Sequence, residues 1–219
     1  MGKVQVKKFV FNTVQENTYV LHDTATRDAA IVDCGCMSAS EQNALVDYID
    51  RNNLHPKLLL NTHLHFDHAW GNAFALKKWP HLKAYTHRNE VEGMPSPSKQ
   101  LGLFGITLSM EDMPQDIIHY IQAGDIIKLG ESELKVLFVP GHSPGHVAFY
   151  CAESDFVMVG DVLFYEEIGR ADLWGGNLEQ LLLSIRQNLF TLPPQTVVYS
   201  GHGPETTIGH EIQYNPYFK

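Results

Sequence analysis

His63-Leu64-His65-Phe66-Asp67-His68 places three imidazoles and a carboxylate within six residues. So many nitrogen and oxygen donors at one point suit metal binding and little else. Side chains of an extended segment alternate, so His63 and His65 point to one side. Asp67 and His68 then fall at the turn into the next element, and one stretch can serve two neighbouring metals. The flanks supply the setting. Lys57-Leu58-Leu59-Leu60-Asn61 reads as a short buried strand and Ala69 to Trp79 as a helix. The motif therefore sits on a strand-to-helix loop, where sites of α/β proteins lie. The plain alternative is a His-rich surface turn, and the donors further along the chain argue against it.

The chain has 219 residues, enough for one large core, and 1–219 is expected to be a single domain. Its formal charge of −9 and lack of a basic run argue against non-specific nucleic-acid binding. Twelve His is a high number and already hints at metal. The start, Met1-Gly2-Lys3-Val4-Gln5-Val6-Lys7, runs straight into a strand pattern without an apolar signal segment. No apolar run is long enough to span a bilayer, so no membrane partner is expected. Three Cys give no disulfide framework, and a cytoplasmic protein with reduced thiols is the expectation. Cys34 and Cys36 form a C-x-C pair, read as plain thiols because no second Cys pair accompanies them.

Alternation and β-branched content predict strands near 3–11, 17–22 and 28–33. Ser38 or Ser40 is expected to cap a helix to about Asn52 that buries Leu45, Val46 and Ile49. A short strand is expected at 83–86. Residues 92–116 hold Pro95, Pro97 and Pro114 with three Gly around Leu101, Leu103, Phe104 and Ile106. They read as a long loop, either a lid over a site or a locally packed surface excursion. Further strands are expected at 125–129, 132–139, 146–151, 155–160 and 196–200. A helix is expected at 177–190, and a short one after Pro204. The expected class is α/β: two mixed sheets packed face to face with helices outside. A strand followed by a His-bearing loop recurs in each half.

Three more donors follow predicted strands, each directly after a Gly: Gly141-His142, Gly160-Asp161 and Gly201-His202. Glycine permits the tight backbone that turns a strand end toward a shared site. One His after a strand means little; four donor sites with matching punctuation mean more. His63, His65 and His142 make three imidazoles. Asp67, His68 and His202 make a carboxylate and two imidazoles. Asp161 can offer one oxygen to each set, leaving an open position for water or substrate.

In these residues the chain resembles the metallo-β-lactamase superfamily. The H-x-H-x-D-H run, the Pro-Gly-His, the Gly-Asp and the final Gly-His stand in the family's order along the whole chain. The resemblance implies an αββα sandwich with two divalent metal ions, zinc first, iron or manganese as variants. By position, His63, His65 and His142 would hold one metal, Asp67, His68 and His202 the other, with Asp161 bridging. Asp67 and Asp161 are thus the carboxylates at the reaction centre, and Asp67 is cast as ligand rather than general base. Asp33 would accept the free N–H of a ligand His and fix its tautomer; a turn-capping Asp is the alternative.

Asp161 stands where lactamases of this fold usually have Cys, so a lactamase or lactonase is the lesser reading. Gly160-Asp161-Val162-Leu163-Phe164 followed by Ile168-Gly169-Arg170-Ala171-Asp172 is similar to the glyoxalase II group. There Arg170 would meet the acyl-glutathione; a local ion pair with Asp172 is the alternative. Thr206 to Lys219 is too short for the helical domain that completes the glutathione site, so the chain looks like the short bacterial glyoxalase II-like hydrolases. The expected substrate is a small-molecule thioester. A hydroxide shared by metals roughly 3.5–4 Å apart would attack its carbonyl. The thiolate leaving group, with a parent pKa of about 8.5, needs no strong protein acid. The rival class is the persulfide dioxygenases, with one iron on His63, His142 and Asp161. Ile168, where those enzymes tend to have Cys, leans away from it. If 92–116 is a lid, it walls the site for an apolar acyl or thiol portion while Arg170 holds a carboxylate.

Overall fold

The computed structural model describes residues 3–219. The first half builds one mixed sheet from β1 (Val4–Phe11), β2 (Glu16–Asp23), β3 (Asp28–Val32), β4 (His55–Leu60), β5 (Lys83–His87) and β6 (Ile118–Ile121), in that order. β1, β2 and β3 pair antiparallel and β3 to β6 parallel. The second half builds a mirror of it. β7 (Ile126–Leu129), β8 (Ser132–Phe138), β9 (Val147–Cys151) and β10 (Phe156–Gly160) run antiparallel from one edge. A hairpin, β11 (Leu163–Phe164) and β12 (Glu167–Ile168), interrupts before β13 (Val197–Ser200) pairs parallel to β10 and β14 (Thr206–Thr207) closes the edge.

Period-two alternation sorts the side chains into three apolar layers. Ala30 and Val32 of β3 face the gap between the sheets, where they meet Leu60, Leu134, Val136, Phe149 and Met158. Ala29 and Ile31 face outward under Leu45 and Ile49 of α1 (Ala39–Arg51). Ser38 caps α1 through a reciprocal box with Glu41. On the far sheet Val157, Val159 and Val198 lie under Leu181 of the helix Leu178–Ser184 and Ile208 of the helix Ile208–Tyr214. The order is helix, sheet, sheet, helix, as the αββα expectation required.

Four elements differ from the sequence-based expectations. The helix expected at 69–79 is two pieces, α2 (Phe66–Ala69) and α3 (Asn72–Lys78), broken where the Gly71 N–H donates to the Cys34 carbonyl at 2.7 Å. Residues 92–116 are not one long loop. They follow α4 (Arg88–Glu92) and contain α5 (Pro97–Leu103), started by a proline in its first turn. Strand β6 escaped the pattern because its four residues bury only Ile121 fully and follow a proline-rich run. The helix at 177–190 is α6 (Leu178–Ser184) continued by a π turn at Ile185–Leu189. α7 (Ile208–Tyr214) is the short helix expected after Pro204. Among the described residues no helix is long and apolar enough to cross a membrane.

Phe149 is fully buried between the sheets. Phe149→Ala should destabilise the fold by about 3–5 kcal/mol, read from the urea midpoint; a loss below about 1 kcal/mol would mean the sheets do not close on this ring.

Candidate metal centre

The C-terminal ends of β3, β4, β10 and β13 converge on one edge of the sandwich. Asp33 follows β3, His63 follows β4 by three residues, Asp161 follows β10 and His202 lies just beyond β13. Two glycines matter here. Gly160 has φ +51°, and a Cβ on it would stand 2.2 Å from Thr62 Oγ1. A Cβ on Gly201 would stand 2.2 Å from Asp161 Oδ1. Neither position tolerates a side chain without moving a donor loop.

The hexapeptide is held from outside by buried polar groups. Glu90 Oε2 accepts the Leu64 N–H at 2.8 Å. Its Oε1 accepts from Ser143 Oγ at 2.6 Å and the Gly145 N–H at 2.7 Å. Glu90 thereby fixes the His63 loop and the His142 loop to each other. Burial pushes its carboxyl up to about 7 despite these donors. Gln100 accepts the Phe66 N–H at 3.1 Å and donates to the Leu64 carbonyl at 2.9 Å. Leu64 itself packs into the outer core, so His63 and His65 point the other way together.

All seven predicted donors fall in one cluster. Donor atoms of His63, His65 and His142 lie within 4.8 Å of one another, and so do those of Asp67, His68 and His202. His65 Nδ1 and His142 Nε2 are 2.8 Å apart. His202 Nε2 is 3.2 Å from Asp67 Oδ2, and His68 Nε2 is 3.6 Å from the same oxygen. Asp161 stands between the groups. Its Oδ1 is 3.3 Å from His68 Nε2, and its Oδ2 is 3.6 Å from His202 Nε2 and 3.8 Å from His142 Nε2.

Neighbours set the tautomers. His142 Nδ1 donates to the Arg170 carbonyl at 2.8 Å, which leaves Nε2 bare toward the cluster. Asp33 accepts from the Thr62 N–H at 2.8 Å and from Thr62 Oγ1 at 2.6 Å. With its proton so used, Thr62 Oγ1 accepts from His63 Nδ1 at 3.0 Å. His68 Nδ1 lies 3.3 Å from Asp33 Oδ2. Asp33 thus contacts His68 and reaches His63 through Thr62, and its carboxylate lies within 4.8 Å of donor atoms of both rings. The sequence reading missed Glu90, Thr62, Gln100 and His146. His146 Nε2 accepts the Asp161 N–H at 3.2 Å, and its ring stacks on His63 with centroids 4.7 Å apart. The second Gly-His of Pro140-Gly141-His142-Ser143-Pro144-Gly145-His146 was the available signal for it.

The donor set fits divalent metal. His63 Nε2 and His65 Nε2 are buried without a hydrogen-bond partner. Burial, reinforced by neighbouring imidazoles, holds His63 well below the ordinary histidine range and takes His65 down to about 3. Burial also lowers His142. These three are neutral imidazoles, the form that ligates. His68 and His202 go the other way: burial opposes the charge, but Asp161 and Asp67 outweigh it and raise both. Asp67 and Asp161 resist burial through those same histidines and stay low. Without metal the two carboxylates therefore favour proton uptake on the imidazoles of the second group.

Beside the donors lies a cleft of about 470 Å³. Val14, Phe66, Phe104, Ile106 and Leu173 wall it, and Arg170 stands at its edge. The segment 92–116 does reach the donors, but through Phe104 and Ile106; Leu101 is buried in the protein and Leu103 is exposed. Arg170 forks onto Asp172 at 2.7 and 2.8 Å. Cys34 and Cys36 are buried free thiols with sulfurs 3.6 Å apart.

Metal must displace protons from His68 and His202, whose protonation constants are raised. Affinity should therefore rise with pH through the range in which those groups lose their protons, and fall as pH drops. Zinc titration in two buffers of different ionisation enthalpy should show net proton release. Uptake with no release would contradict the charged second group.

The metallo-beta-lactamase superfamily profile matches residues 12–202. The chain is 39% identical over 204 residues to "Probable metallo-hydrolase YqgX" of Bacillus subtilis, covering 93% of this chain and 92% of that one. It is 34% identical over 207 residues to "Hydroxyacylglutathione hydrolase GloC" of Haemophilus influenzae, with the same coverages of 93% and 92%. Among solved structures, the B3 metallo-beta-lactamase BLEG-1 superposes with a TM-score of 0.87 at 33% identity, over 98% of this chain and 100% of that one. TTHA1623 in a di-iron-bound form superposes with a TM-score of 0.84 at 32% identity, over 97% and 100%. With strand ends, donor order and profile in agreement, the chain belongs to the metallo-beta-lactamase superfamily.

Proposed function

We propose that the protein is a metal-dependent hydrolase of thioesters. In this reading His63, His65 and His142 would hold one divalent ion and Asp67, His68 and His202 a second, with Asp161 serving both. We assign zinc; the same nitrogen and oxygen donors suit iron and manganese. Divalent ions on such a set activate water near neutral pH and polarise a carbonyl.

The observation that carries the thioester is what the cleft lacks. Its titratable lining residues are His65, Asp67, His142, Asp161, His202 and Arg170. All but Arg170 belong to the donor sets, and a guanidinium does not give up its proton. Among the described lining residues no acid outside the donor sets is placed to protonate an amine leaving group. A thiol of pKa about 8.5 leaves as thiolate without one. The hydroxyacylglutathione hydrolase name of the Haemophilus relative points the same way. A single-iron dioxygenase would leave Asp67, His68 and His202 without a task. Yet Asp33 orients His68 as directly as Thr62 orients His63, which favours two working metal positions.

The chain's own residues divide the remaining work. Asp33, Thr62, His146 and the Arg170 carbonyl keep the donor atoms aimed inward. Phe66, Phe104 and Ile106 keep bulk water from the cleft wall. The side chain of Arg170 meets substrate at the rim, while its carbonyl fixes His142.

Asp161→Asn should lower thioester kcat by about 100-fold, because it weakens both donor sets at once. Arg170→Ala keeps the carbonyl and should chiefly raise KM by about tenfold or less. Equal losses, or no thioesterase activity in the metal-loaded protein, would contradict this reading.

A further inference from the structure

The apolar wall of the cleft is a composite of three distant segments. Val14 comes from the β1–β2 turn, Phe66 from α2, and Phe104 with Ile106 from the stretch after α5. Phe104 sits edge-on to Phe66, centroids 5.8 Å apart, and to Trp174 at 5.3 Å. Trp174 in turn stands edge-on to His65 at 6.4 Å. It is a positioning residue, holding Phe104 over the donors. Phe104 is 42% exposed and Val14 48%, a cost in water that an apolar ligand would remove.

Arg170 is the one arginine or lysine among the described lining residues. Its Nε–H and one Nη2–H go to Asp172, and its remaining N–H donors are left to meet the carrier while the apolar wall meets the acyl group.

Resting on the thioester reading above, we infer that the substrate is a thioester with an apolar or aromatic group next to its carbonyl. In its hydrolysis the water oxygen bonds to the carbonyl carbon and the C–S bond breaks. Sulfur keeps the electron pair, and the products are a carboxylate, a thiol and one proton. No redox partner is required.

The metal-loaded protein should be assayed on acetyl, hexanoyl and benzoyl thioesters of neutral N-acetylcysteamine. We expect kcat/KM to rise about tenfold or more from acetyl to hexanoyl and benzoyl. Phe104→Ala and Trp174→Ala should shrink that ratio while bound metal is retained. No rise from acetyl to hexanoyl and benzoyl, or an unchanged ratio in both variants, would overturn the inference. If no thioester is cleaved, the hydrolase reading fails, and the cleft is then read by binding alone. Saturable quenching of tryptophan fluorescence by S-benzyl-N-acetylcysteamine, weakened in Phe104→Ala, supports the apolar subsite. Its absence in the unmutated protein refutes it.

Discussion

Gathering five imidazoles and two carboxylates out of water at one edge is the constraint around which this molecule is arranged. Charged groups without partners are costly to bury, and rings with free tautomers would collapse into bonds with each other. The answer is a ring of fixed acceptors. Asp33 anchors His68 directly and His63 through the Thr62 hydroxyl. The Arg170 carbonyl anchors His142, and His146 holds the backbone of Asp161. The anchors of His63, His68 and His142 each engage an outward ring nitrogen and leave the other nitrogen facing the cluster. The arrangement favours ligation over stability, and it rests on the three apolar layers beneath it.

The anchors also explain why the two sheets must keep their mutual register. Asp33 and His63 belong to the first sheet, Asp161 and His202 to the second. Tyr19 donates its hydroxyl to the Ser200 carbonyl at 2.6 Å, and Asn17 donates to the Ser200 and Gly203 carbonyls, both at 2.9 Å. These bonds tie the His202 loop to β2. Glu90 does the same for the loops bearing His63 and His142. Slippage of one strand would turn donors to the wrong face.

Much of this was legible in the chain. The apolar run Ala29–Val32 and the valine-rich 156–160 announced buried strands, and Gly before His142, Asp161 and His202 announced strand ends turning inward. Side-chain chemistry named the donors because few other uses exist for so many imidazoles. What stayed hidden depends on contacts distant in sequence. Nothing local distinguishes Glu90 on α4 from an exposed helix glutamate, yet it is 1% exposed and bonds to residues 26 and more positions away. Gln100 and Trp174 were missed for the same reason. The segment 92–116 was read by its Pro and Gly content, which conceals α5 because proline opens that helix instead of breaking it.

Anomalous diffraction at the absorption edges of zinc, iron and manganese, on crystals of the protein as purified, tests the central claim most directly. The account predicts two peaks. One lies at bonding distance from His63, His65 and His142, the other from Asp67, His68 and His202, with Asp161 touching both. A single peak, or a second peak away from His202, would contradict it.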